Sequence, residues 1–106
     1  HQFGIKVVII EPGLIATRFE TVAGKSMAEA QRDPAWAPMM KKVEENWQKG
    51  FKRASPADVV AETIQKALNA RTPKARYRCG HRAESAVIQR LLPTNLWDAI
   101  LRLQMT

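Results

Sequence analysis

The sequence predicts an α/β fold: one strand–helix–strand unit with parallel strands, an irregular insertion within it and a helical tail after it. Three observations carry this. Ile5 to Ile10 (IKVVII) is a nearly continuous apolar run, rich in β-branched residues, that stops at Pro12-Gly13. Ser55-Pro56-Ala57-Asp58 is a strong helix start, followed by apolar residues at helical spacing. Ala75 to Cys79 is a second short strand, closed by Gly80. Two strands joined by a helical crossover should lie parallel.

Taken in order, Ile5 to Ile10 has the continuous hydrophobicity of a strand covered on both faces. Glu11 precedes a proline and is biased to extended geometry, and Gly13 then permits a sharp turn. From Thr17 to about Pro38 the text is irregular, with a short helix expected over Ser26 to Arg32 and Ser26 as its cap. A longer helix is expected from Ala37 to Lys49, ended by Gly50, with Met40, Val43, Trp47 and Phe51 along one stripe. In the helix after Ser55, serine is the expected cap, proline the first helical residue, and Asp58 the partner that answers the cap. Val60, Ile64, Ala67 and Leu68 form its expected buried face before Thr72-Pro73 stops it. In the tail, Val87, Ile88, Leu91 and Leu92 lead to a break at Pro93. Thr94 then caps a last helix carrying Leu96, Trp97, Ile100, Leu101 and Leu103.

Length and composition narrow the class. With 106 residues, 45% hydrophobic and 25% charged, the chain has the makeup of one ordered globular domain. No run reaches the roughly 18 apolar residues of a membrane span, and the opening residues do not form a signal peptide. The single Cys79 excludes an internal disulfide and fits a reducing compartment, so a cytoplasmic location is expected. Against 10 acids stand 17 lysines and arginines, a formal charge of +7. Arg71, Lys74, Arg76, Arg78 and Arg82 cluster in an acid-free stretch with only Tyr77 interleaved. That pattern favours a solvated or interface face over a nucleic-acid or anionic-membrane surface. A fully apolar strand needs a neighbour on each edge, and this chain offers one clear partner. The chain therefore reads as a piece of something longer, completed by upstream chain or by another subunit. His1, standing directly before the strongest strand signal, agrees with that expectation.

Pro12-Gly13-Leu14-Ile15-Ala16-Thr17 resembles the PGxxxT segment of classical short-chain dehydrogenases/reductases. Gly4-Ile5-Lys6-Val7-Val8 is similar to that family's sixth strand, Ser55 to Ala61 (SPADVVA) to its last long helix, and Arg76 to Gly80 (RYRCG) to its seventh strand. The matches keep family order and cover about residues 4–80. The resemblance implies the carboxyl-terminal part of a Rossmann-like, doubly wound parallel sheet. Within it, residues 1–16 would be strand and nicotinamide-side turn, 17–54 a substrate lid, 55–80 helix and last strand, and 81–106 a helical tail. It further implies NAD or NADP as cofactor and an alcohol or carbonyl compound as substrate. Pro12 and Gly13 would form the turn beside the nicotinamide. The Ile15 N–H would bond the carboxamide, and the Thr17 hydroxyl the carboxamide or the pyrophosphate. The physical need is to present one ring face to the substrate at close range. Each residue also has a plain structural reading, since Pro-Gly commonly makes a turn and Thr17 can cap a helix.

Other residues of the family are missing. Its catalytic tyrosine is followed four positions later by lysine, but Tyr77, the sole tyrosine, is followed at that distance by His81. The glycines are too widely spaced for a phosphate loop. No catalytic residue is therefore assigned within the chain, and no turnover is expected from it alone. Trp36, Met39, Met40, Trp47 and Phe51 make the lid segment apolar and adaptable, which points to a bulky hydrophobic substrate. The alternative is that they only close the core. The tail resembles that of longer members acting on lipid-like substrates, and covering the site, association or peripheral membrane contact are all open to it. For the full enzyme the resemblance implies a homo-oligomer.

Other chemistries find little support. Cys79 and His81 lack the second pair that a zinc site needs, and His1 and His81 have no nucleophile at informative spacing. Glu44, Glu45 and Glu62 read as solvated helix faces, and Cys79 as a small buried apolar residue. The reading from a different class is a non-catalytic α/β fragment that binds a partner chain through its basic patch or apolar tail.

Overall fold

A computed structural model describes residues 2–105. Its elements are β1 (Ile9–Pro12), α1 (Phe19–Ala30), α2 (Ala37–Phe51), α3 (Asp58–Asn69), β2 (Arg76–Cys79), α4 (Ser85–Leu91) and α5 (Thr94–Met105). The two strands pair in parallel, Ile9 opposite Arg76 through Pro12 opposite Cys79. The mixed α/β class and the parallel pairing expected from the sequence are both present.

The first strand is displaced from its expected span. Ile5 to Val8 are not strand, because β2 is only four residues long and the ladder starts where Ile9 donates to the Ala75 carbonyl at 2.9 Å. Pro12, expected in the turn, closes β1 instead, at an edge position where its missing N–H costs no ladder bond. The expectation of two covered faces also fails. Val8 and Ile10 line a cleft with Ile64, Ala67 and Leu68 of α3, whereas Ile5, Val7 and Ile9 stand exposed. Alternation along an extended segment separates these two sets. Within α3 only Ala67 is buried; Ile64 is partly exposed and Leu68 is 79% exposed.

Helix boundaries show where local rules yield to context. α1 runs from Phe19, so Ser26 lies inside it and its hydroxyl donates back to the Val22 carbonyl at 3.5 Å. α2 continues through Gly50 to Phe51, because burying Phe51 outweighs the glycine's weak preference to stop. α3 is entered from Ala57 without a side-chain cap. Ser55 spends its oxygen elsewhere, accepting the His81 N–H at 2.9 Å. Thr94 is already helical, and the Pro93 carbonyl receives the Leu96 and Trp97 N–H groups at 3.0 and 3.1 Å. The tail helices leave Ile88, Leu91, Leu96 and Leu103 exposed.

Apolar burial is sparse. Phe51, Ala67, Cys79 and Ala83 are the buried hydrophobic residues among those described. The exposed area is 8787 Å², where a compact folded monomer of this mass exposes about 6,000 Å². No helix among the described residues is long and apolar enough to cross a membrane.

Candidate functional site

Both strands end at the same side, and the segment leaving β1 builds the site there. The Gly13 N–H donates to the Cys79 carbonyl at 2.8 Å and the Leu14 N–H to the His81 carbonyl at 2.7 Å. This holds the Pro12-Gly13 segment against the turn after β2. A Cβ at Gly13 would lie 2.2 Å from the His81 oxygen and 2.6 Å from the Ala83 nitrogen. Glycine is thus required by close backbone approach, where the sequence pointed only to a sharp turn. At this end of the strands it is Gly80 (φ +83°) that adopts left-handed geometry, turning the chain out of β2.

Beyond Leu14 the chain pairs with the entry to α3. Ile15 bridges Ser55 in parallel: the Ala16 N–H donates to the Ser55 carbonyl at 2.9 Å, and the Ser55 N–H to the Leu14 carbonyl at 3.0 Å. In this pattern the bridging residue's own N–H and C=O point to the opposite edge. The Ile15 N–H is therefore directed away from Ser55. Two residues on, the exposed Thr17 hydroxyl accepts the Phe19 N–H at 3.3 Å, and its carbonyl accepts the Glu20 N–H at the same distance. Thr17 thus bonds the backbone just ahead of α1, which is itself entered from Arg18 without a side-chain cap, and its hydroxyl hydrogen is still available to an acceptor.

Electrostatics beside the turn centre on Glu11. Its carboxylate pairs with Arg76 and, at 3.3 Å, with the Arg78 Nε, while Arg78 also reaches Glu84 at 3.1 Å. The hydrogen bond from Arg76 holds the Glu11 carboxyl below its ordinary value; partial desolvation opposes this, and the charges of Arg76 and Arg78 add to it. Two cations of the basic cluster are thus occupied by acids within the chain. Glu44, read as a solvated face, is half-buried and receives hydrogen bonds from Gln31 and, at 3.4 Å, from Gln48, tying α2 to the end of α1. Among the described residues no three His, Cys, Asp or Glu side chains converge as metal ligands; His1 lies outside those residues.

The lid residues separate into three environments. Trp47 and Phe51 meet in a tilted ring contact at 4.7 Å between centroids and line a cavity of about 450 Å³ with Leu14, Val43, Leu101 and Met105. Met40 lies instead in a groove between α1 and α2, where Phe19 meets the other side of Trp47 at 6.2 Å. Trp36 and Met39 line neither space, and Trp36 is 55% exposed. The Trp47 indole N–H is buried without an acceptor, an unusual state for a donor of this kind. Gly13 joins the cavity wall, whereas Ile15 and Thr17 do not.

Sequence reasoning placed Arg82 in a basic surface cluster and missed Ser85, Gln89 and Gln104; all four line this cavity. Leu101, Gln104 and Met105 are spaced i, i+3 and i+4, so a shared helix face was legible, but not what it faced. No protein-family model, curated protein or solved structure matches the chain.

Proposed function

We propose that this chain is the carboxyl-terminal portion of an NAD(P)-dependent oxidoreductase acting on a hydrophobic alcohol or carbonyl substrate. The observation that carries the reading is the Ile15 N–H, turned outward at the carboxyl end of a parallel strand two residues before the Thr17 hydroxyl. Carboxyl ends of parallel strands are where open α/β sheets take their ligands. These two groups fit the carboxamide end of a nicotinamide: a fixed backbone donor and a hydroxyl can together set the ring's rotation. When bound, the cofactor would carry the hydride. The chain's own part is to orient it and to offer the apolar cavity beneath α2 to the substrate. The exposed apolar residues of β1 and of the segment that leads into it (Ile5, Val7 and Ile9) support completion by further strands and a covering layer.

The experiment is to read the coding sequence upstream of His1 for a glycine-rich loop and a Tyr-x-x-x-Lys, then assay the longer chain with NADH and NADPH on carbonyl compounds. Hydride transfer by the longer chain, a cofactor KM raised about tenfold by Ile15→Pro through loss of the N–H, and no turnover by residues 1–106 are expected. A continuous upstream reading frame without either motif would overturn the proposal. That outcome would favour the binding-module reading, which the exposed Ile88, Leu91 and Leu103 of the tail support.

A further inference from the structure

The apolar cavity does not end in solvent on all sides. It shares Asn46, Gly50, Arg82 and Gln104 with a second cavity of about 550 Å³. The character of the wall changes across that seam. The first space is lined by Leu14, Val43, Trp47, Phe51, Leu101 and Met105. The second is lined by Lys49, Lys52, Arg53 and Arg82, with His81 beside them and no carboxylate among the described residues. None of these four cations forms an ion pair with a described residue, in contrast to Arg76 and Arg78.

Arg82 stands at the seam and is held in a costly conformation. Its φ is +63°, the left-handed region that is unfavourable for a residue bearing a side chain. The turn that imposes this is tied down on both sides, by the His81 N–H on Ser55 and by the Leu14 N–H on the His81 carbonyl. Such strain persists only where the surroundings over-determine it, and it concentrates at ligand clamps.

We infer that the joined cavities bind a single-chain amphiphile with an anionic head, a carboxylate or phosphate monoester, its alkyl chain beneath Trp47 and its head among Lys52, Arg53 and Arg82. Each half has its own reason. An apolar space of this size is the usual scale of a small-ligand pocket. Uncompensated cations around a partly enclosed space favour an anion, and guanidinium groups bind carboxylate and phosphate through paired donors. The two halves adjoin, so one molecule satisfies both. The inference rests on taking the apolar cavity as the ligand cleft, but not on hydride chemistry, because neither Ile15 nor Thr17 lines either space.

The test is calorimetric titration of the 106-residue chain, without nicotinamide, using monomeric dodecanoate, dodecyl phosphate, dodecanol and dodecyltrimethylammonium. The two anions are expected to bind at least about tenfold more tightly than the alcohol, with the cation weakest and with the preference shrinking in high salt. Lys52→Gln/Arg53→Gln changes two exposed positions and should reduce anion affinity to about that of the alcohol, with the far-ultraviolet spectrum unchanged. Leu101→Asp should abolish binding of all four. Equal affinity for alcohol and anions, undiminished anion binding by the double variant, no binding at all, or binding to anionic vesicles alone would each overturn the inference. Because no cofactor is present, loss of amphiphile binding with hydride transfer intact in the longer chain would reject this inference and leave the enzyme reading standing.

Discussion

At the scale of single residues, the turn after β1 depends on atoms that do not exist. Gly13 has no Cβ, and the backbone of His81 and Ala83 occupies the space where one would be. Gly13→Ala should therefore lower stability by about 1–3 kcal/mol, read as a shifted urea midpoint, because rigid backbone must move. A change below about 0.5 kcal/mol would mean the two turns are not in contact. Ser55 makes a sharper distinction between two readings. If it capped α3, Ser55→Ala would fray that helix; since it accepts the His81 N–H, the loss should be about 0.5–1.5 kcal/mol with helicity unchanged and the His81 amide exchanging faster. Glu11 supplies the pH dependence. Its folded pKa lies below its ordinary value, so the stability it contributes is present above the ordinary carboxylate range and is lost as pH falls through the folded pKa. In Arg76→Gln the Glu11 carboxyl carbon, followed by NMR, should titrate at higher pH than in the parent; an unchanged midpoint would show that the pair does not form.

Among the elements, α2 and β2 follow the sequence closely, whereas α1 and β1 do not. α2 begins where the sequence places it, because a helix closes its own hydrogen bonds and its apolar stripe ends in the buried Phe51. β1 is shorter than its apolar run because a strand needs a partner at every residue, and β2 offers four. This leaves Val7 80% exposed. Val7→Lys should accordingly change the stability of the 106-residue chain by less than about 0.5 kcal/mol. A loss of 2 kcal/mol or more by chemical denaturation would show that this side is already covered, by a second copy of the chain. Which faces are covered could not be read from β1 alone. Continuous hydrophobicity states that both sides of a strand want cover, while the covering elements are chosen elsewhere in the chain.

For the molecule as a whole, shape and area tell the same story. The radius of gyration is 18.0 Å, with principal extents of 58 × 33 × 23 Å, where a compact chain of this length measures about 13 Å. Together with the excess exposed area, this describes a body whose apolar faces greatly exceed its own buried core. Small-angle scattering on the monomer should return a radius near 18 Å; a value near 13 Å would mean that the tail helices fold back onto β1. The amphiphile inference belongs partly to this scale, since α5 closes one wall of a cavity whose other wall is α2, some fifty residues earlier.

The set Pro12, Gly13, Ile15 and Thr17 came from a family resemblance; by itself the sequence determined the α/β class, the parallel order of the strands and the approximate helices. These depend on local chemistry: β-branched runs, helical spacing, and proline or glycine at chain reversals. Tertiary structure alone decided why Gly13 must be glycine, that Ser55 serves His81 instead of its helix, that Arg76 and Arg78 are claimed by Glu11 and Glu84, and that Arg82 stands between an apolar and a basic cavity. Each of those outcomes joins residues more than two turns of chain apart or weighs one partner against another. Periodicity and spacing cannot register such choices, because they are made by which backbone atoms come within hydrogen-bonding reach once the two strand ends are brought side by side.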